Sequence, residues 1–189
     1  MKNIRIVTIH AIIASTFVVG ALAFVPSSAS AAPNCNIKRD LVQADLSKCD
    51  LTNANLSGAN LQSAYLWRAN LSGANLTNAN LVGANLILAD LTGANLTNAK
   101  LTGANLQSAD LTGANLTNAK LILAGLTFAK LSGANFNSAN LTGANLWGAK
   151  LTGGDFTDAD LTDAFMRPGI SRADMEGADG LDTAKGLVD

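Results

Sequence analysis

A four-sided, all-β coil is the fold this sequence predicts, and three observations predict it. A five-residue unit, Ala-(Asn/Asp)-Leu-(Thr/Ser)-(Gly/Asn), runs almost unbroken from Leu41 to Met166, giving 26 units. Its central residue is always Leu except at Phe136, Phe156 and Met166, and the Ala two residues earlier gives way only to Arg39, Cys49 and Gly154. Decorations of the unit return every 20 residues: Phe136 with Phe156, Lys100 with Lys120, and Lys130 with Lys150. A short unit repeated this often is the mark of a solenoid, in which each turn of the chain contacts only its neighbours.

The period of five follows from elimination. A helix turns about 100° per residue, so steps of five scatter Leu around its surface and leave no apolar stripe. In a continuous strand an odd period sends successive Leu to opposite faces. If each unit ends in a turn, every Leu can face inward, and Gly, Asn and Ser stand where that turn falls. The 20-residue recurrence, with alternating Thr-Asn and Thr-Gly units, sets four units per coil.

The tandem ANLTG, ANLTN and ADLTG units resemble the pentapeptide repeat family. That resemblance implies a right-handed quadrilateral parallel β-helix, here of about 6.5 coils, with the central Leu/Phe and the preceding Ala pointing inward. It covers the 26 units and says little about activity. Inside such a tube each Leu stacks on the Leu of the next coil, a burial contributing roughly 1.5–3 kcal/mol per side chain. Phe136 and Phe156 read as a stacked core pair, not as a ligand box.

The chain outside the repeats divides into three segments. Residues 1–31 read as a signal peptide: Lys2 and Arg5 form a positive start, Ala11 to Val25 is uncharged and mostly apolar, and Ala29-Ser30-Ala31 offers a cleavage site. An uncleaved anchor is the alternative, since spanning a bilayer takes about 20 apolar residues. Residues 32–40 read as an N-terminal cap with Lys38-Arg39-Asp40, because an open coil exposes strand edges and apolar lumen. Residues 167–189 read as a degenerate last coil and an acidic tail, opened by Arg167-Pro168-Gly169.

Charge and cysteine content narrow the function classes. Removal of residues 1–31 takes away the only histidine, His10, and leaves a net charge of −3. The acidity sits at the end: Asp155 to Asp189 carries −6, whereas Ala32 to Gly154 carries +3. That balance selects neither nucleic acid nor an acidic membrane surface as partner. Cys35 and Cys49 both lie near the start of the mature chain. In an exported protein they can form a disulfide; alternatively Cys49 is a small buried residue in an Ala position.

Stepping by 20 gives each outer side its own character. One side carries the column Asn55, Asn75, Asn95, Asn115, Asn135 and Asp155, followed by hydroxyls such as Thr77, Thr97 and Thr117. The next carries Asp50, Asn70, Asp90 and Asp110, then switches to Lys130 and Lys150. Around Leu46, Leu66, Leu86, Leu106, Leu126 and Leu146 gather Tyr65, Trp67, Ile87, Leu88, Phe128, Trp147 and Phe165, with Val82, Ile122 and Leu123 on the adjoining edge. Contiguous apolar surface with Trp and Tyr anchors points to a partner. Arg68 beside Trp67 supplies a polar rim or a cation–π contact.

The expected function is therefore a non-enzymatic, exported scaffold, in a periplasm, outside the cell or in a thylakoid-type lumen. Its partner is an unidentified protein or a second copy of itself, bound through Tyr65, Trp67, Arg68, Ile87, Leu88, Ile122, Leu123, Phe128, Trp147 and Phe165. A side-to-side homodimer with only a structural role is the alternative. No catalytic residue, cofactor, metal ligand set or small-molecule substrate is expected, since the Asp residues form a spaced exterior set without a cleft to tune them. DNA mimicry, known among family members that bind topoisomerases, needs a strongly negative rod, and the repeat body here is slightly positive. An ice-binding array of Thr92, Thr112 and Thr152 rests on hydroxyls ordinary for the family.

Overall fold

The computed structural model describes residues 41–166. Within them the chain closes one coil every 20 residues. Parallel β-bridges pair residue n with residue n+20 throughout, from Asp45 with Tyr65 to Asn145 with Phe165. Four columns of bridges result, one per side, and their register is the one the 20-residue decorations predict. The pairing is reduced to one bridge residue per unit per side, so the described residues contain no longer strand. Each side is only as wide as the three residues between two turns.

Backbone hydrogen bonding explains the unit residue by residue. In the unit around Leu96, Asn95 donates its N–H to the Ala74 carbonyl at 2.9 Å, and Leu96 donates to Asn115 O at 2.7 Å. Asn98 donates to Thr117 O at 3.0 Å, and Ala99 closes the turn on Leu96 O at 2.9 Å. The fifth donor, Thr97 N–H, finds the side-chain oxygen of Asn95 at 3.1 Å. All five N–H groups are thus paired, as buried or half-buried backbone requires. The unit therefore favours Asn or Asp before the Leu, for that side chain caps the turn that follows.

The second turn residue lies at positive φ in every unit from position 43 to position 163, between 54° and 68°. With the Leu carbonyl bonded to the Ala N–H, this is the turn class that demands a left-handed third residue. Gly, Asn and Asp enter that region at low cost, and other side chains enter it at about 1–2 kcal/mol. This explains the alternation of Gly and Asn at the end of the unit.

The interior is a continuous column of Leu with Ala between, and no polar side chain is buried among the described residues. Phe136 and Phe156 stack at 4.9 Å between centroids and 8° between planes, both fully buried. Gly154 replaces Ala for a steric reason: a Cβ there would come within 2.9 Å of the Phe156 ring and 3.3 Å of the Ala134 carbonyl. Cys49 fills an Ala position, fully buried, and is disulfide-bonded. Cys35, the signal segment, the N-terminal cap and the acidic tail lie outside the described residues.

Candidate functional site: one apolar side and its two corners

Every exposed large apolar residue of the described chain lies on a single side of the coil or at the corners that bound it. These are Val42, Tyr65, Leu88, Leu123, Phe128 and Phe165. The side itself is the bridge column Asp45, Tyr65, Asn85, Asn105, Gly125, Asn145 and Phe165. The entry corner carries Val42, Val82 and Ile122-Leu123, and the exit corner carries Trp67-Arg68, Ile87-Leu88, Phe128 and Trp147. All ten residues that the sequence singles out are therefore brought together. Trp67, Ile87, Ile122 and Trp147 are half-buried, while the others are exposed.

Three of the four aromatic anchors at the ends, Trp67, Trp147 and Phe165, are already engaged. Trp67 meets two cations, with Lys48 Nζ and Arg68 Cζ each 4.9 Å from its ring centroid. Trp147 stacks on Phe165 at 5.6 Å and 13°. At the base of the side, the Asp45 carboxylate accepts the Ser47 N–H at 3.0 Å, and that bond, helped by the Ser47 side chain, holds its pKa below the ordinary value.

The middle of the site holds features that reading by column alone missed. Leu88, Leu123 and Phe128 occupy left-handed positions, at φ of 60°, 56° and 58°. Bulky side chains in that region are genuine outliers. Leu123 is 68% exposed and Phe128 56%, so burial does not repay the strain. Each leans over a glycine one coil on. The place of a Cβ on Gly143 is 2.8 Å from Leu123 Cδ2, and that on Gly148 is 2.5 Å from the Phe128 ring. Between these two ridges sits Gly125, whose backbone does not require glycine and whose Cβ would meet nothing closer than 3.5 Å. Tyr65, Gly125 and Phe165 lack the side-chain oxygen with which Asn or Asp caps the following turn, as do Lys100, Lys120, Lys130 and Lys150 on the flanking sides. The signal for all this was in the sequence, in the fifth position of the unit, where Leu and Phe stand in place of Gly and Asn.

The neighbouring side supplies the charge. Lys130 donates to Asp110 Oδ2 at 2.9 Å across one rung, an exposed pair. Partial burial pushes the Asp110 pKa up, but the Thr112 hydroxyl, Lys130 and the Thr112 N–H outweigh it and hold it below the usual value. Lys130 is pushed up by its bond to Asp110 and by that residue's charge. Among the described residues no group of three or more His, Cys, Asp or Glu converges to hold a metal ion. No helix among them is long and apolar enough to cross a membrane.

The family model for pentapeptide repeats matches eight copies over residues 40–78, 54–93, 69–107, 89–127, 99–137 and 139–167. The chain belongs to the pentapeptide repeat family. Among solved structures it is similar to HetL of the cyanobacterium Nostoc sp. strain PCC 7120, a pentapeptide repeat protein involved in heterocyst differentiation regulation. The two are 36% identical over 79% of this chain and 68% of HetL, with a TM-score of 0.41. It is also similar to a pentapeptide repeat protein of the Arabidopsis thaliana thylakoid lumen, at 34% identity over 66% of this chain and 69% of that one, TM-score 0.18. Rfr23 of the cyanobacterium Cyanothece 51142 is 25% identical over 82% of this chain and 95% of its own, TM-score 0.35. No curated protein matches the chain. Pentapeptide repeats fold as a right-handed quadrilateral β-helix and are typically non-catalytic, and the 20-residue bridging of this pentapeptide repeat protein fits that architecture.

Proposed function

We propose that this pentapeptide repeat protein is a non-enzymatic, exported scaffold of about 6.5 coils that binds protein through its apolar side. One observation carries the reading: long side chains occupy left-handed corner positions only where they border that side. The exit and entry corners hold Gln43, Lys48, Arg68, Leu88, Leu123 and Phe128 at positive φ, whereas the two opposite corners hold only Gly, Asn, Ser and Asp. Strain kept at exposed positions marks a surface with a use beyond folding. A rigid tube binds without ordering loops, which lowers the entropic cost of association. Export rests on residues 1–31, read as a signal peptide, with the cap at 32–40, the coil at 41–166 and the acidic tail at 167–189. A lumenal relative in Arabidopsis thaliana is in keeping with export.

A photo-crosslinking residue in place of Phe128, compared with one in place of Asn98, tests the reading in producing cells. The expected result is protein adducts at 128 and none at 98. Equal labelling at both positions, or none at either, would overturn it.

A further inference from the structure

We infer that the occupant of the apolar side is a second copy of this chain, docked side to side with its axis antiparallel. The inference rests on the apolar side being a protein contact surface, and it names the partner. It follows from laying that side against itself about a two-fold axis that crosses the tube midway between the Asn105 and Gly125 rungs. Such an axis returns each corner to the same corner of the partner copy, run in the opposite direction. A closed two-fold contact must be self-complementary in this way.

At that register Leu123 falls opposite the open Gly103 of the other copy and Phe128 opposite Ser108, while Leu88 falls opposite Gly148, where it meets the Phe128 ring that leans over that glycine. Tyr65 falls opposite Phe165, Ile87 opposite Trp147, and Gly125 opposite Asn105. The polar middle rung of Thr102, Asn105, Gln107 and Ser108, which interrupts the apolar side, thereby becomes the floor for Ile122, Leu123 and Phe128. Gly125, which the backbone does not need, leaves room for the Asn105 carboxamide.

Charge selects the same register independently. The column bordering the exit corner runs Asp90, Asp110, Lys130, Lys150 over successive rungs. The two-fold axis sets the Asp110–Lys130 pair of one copy, already bonded within its chain, beside the same pair reversed in the other, and places Asp90 opposite Lys150 twice by symmetry. Shifting the axis down one rung sets Asp90 against Asp110, and shifting it up sets Lys130 against Lys150. A parallel arrangement is worse on both counts, because it brings Leu123 against Phe128 and Lys120 against Lys130. The entry-corner border is less favourable, with Lys100 opposite Lys120; both side chains are exposed and can extend into solvent.

Tyr65→Cys and Phe165→Cys test the arrangement on the full chain. Within one copy these positions are five coils apart, about 24 Å at one strand spacing per coil, beyond the reach of a disulfide. Under mild oxidation the double variant is expected to form a covalent dimer. Each single variant is expected to stay unlinked until the two are mixed, and the parent chain serves as control. Covalent dimers of either single variant alone would contradict the antiparallel axis. So would an unlinked double variant that sediments as a monomer. Charge reversal gives a second reading. Lys150→Glu should weaken association on the order of tenfold, since symmetry counts each exposed pair twice. Asp90→Lys in the same chain should restore it, and Lys100→Glu alone should strengthen it. A double charge variant no better than Lys150→Glu would overturn the register. Should the chain be monomeric while the photo-crosslinker at 128 captures a different protein, the self-partner is wrong and the scaffold reading stands.

Discussion

The apolar side and the asparagine side stand back to back on the same tube, built from the same unit, and they solve the outer half of that unit in opposite ways. On the asparagine side each column residue caps its own turn: Thr77, Thr97 and Thr117 each bring both N–H and hydroxyl to the preceding Asn oxygen, the hydroxyls at 2.7 Å. Those hydroxyls are thereby engaged within the chain. Its corners hold residues that enter the left-handed region at low cost. On the apolar side Tyr65, Gly125 and Phe165 give up that cap, and Leu88, Leu123 and Phe128 accept the strained corner. The inner half of the unit is Leu and Ala on both sides, except for Phe136, Gly154 and Phe156 behind the asparagine side and Met166 at the end of the apolar side. The lumen residues are what the two sides share, so the outer residues are the ones with latitude to serve another requirement.

The largest effect should ignore the difference between the sides. Leu96→Asp behind the asparagine side and Leu86→Asp behind the apolar side each bury an unpaired charge in the lumen. Both should unfold the middle coils to the same extent, seen as loss of the circular-dichroism signal and of a cooperative urea transition. A folded Leu96→Asp variant would overturn the register of the whole tube.

Next comes a contrast between an inner and an outer ring. Phe136→Ala removes half of a buried stack and should cost roughly 3–5 kcal/mol in chemical denaturation. Phe128→Ala removes a ring that is mostly in water and should leave the denaturation midpoint close to the parent's while weakening association. Equal losses would mean that Phe128 is part of the core.

Smaller still is the exchange of corners. Asn98→Leu imposes on the asparagine side the strain that Leu88 carries, and should lower stability by about 1 kcal/mol. Leu88→Asn removes that strain and should raise stability by a similar amount. Opposite signs in thermal melts would sharpen the comparison, and equal signs would break it.

The smallest effect belongs to the exposed Asp110–Lys130 pair. Because the Asp110 pKa is lowered on folding, its contribution is present above the carboxylate's ordinary pKa of about 4 and fades as pH falls through the lower folded value. Because the Lys130 pKa is raised, its contribution is present at neutral pH and fades only as pH rises through the folded ammonium value. Lys130→Ala should therefore melt slightly below the parent near neutrality and together with it in strong acid.

Much of the tube was legible because few residues can occupy its interior. Leu every five residues admits no helix and no continuous strand, and pairs such as Phe136–Phe156 set the coil at 20. The four outer columns followed by arithmetic, and with them the gathering of Tyr65, Trp67, Phe128, Trp147 and Phe165 on one side. What escaped was conformational and pairwise. Leu88, Leu123 and Phe128 read as apolar decoration until the backbone placed them at positive φ, and the unit's usual Gly and Asn were the hint. The stack of Trp147 on Phe165 and the reach of Lys48 over Trp67 depend on rotamers, which column arithmetic does not contain.

The most direct test of the account is the chemical-denaturation midpoint of a Leu88→Gly/Leu123→Gly/Phe128→Gly variant, measured beside the parent at a dilution where both are monomeric. If these side chains serve association at the expense of the tube, the variant should be the more stable monomer. A variant less stable than its parent would show that the three residues hold the coil together, and would remove the reason for reading this side as a binding surface.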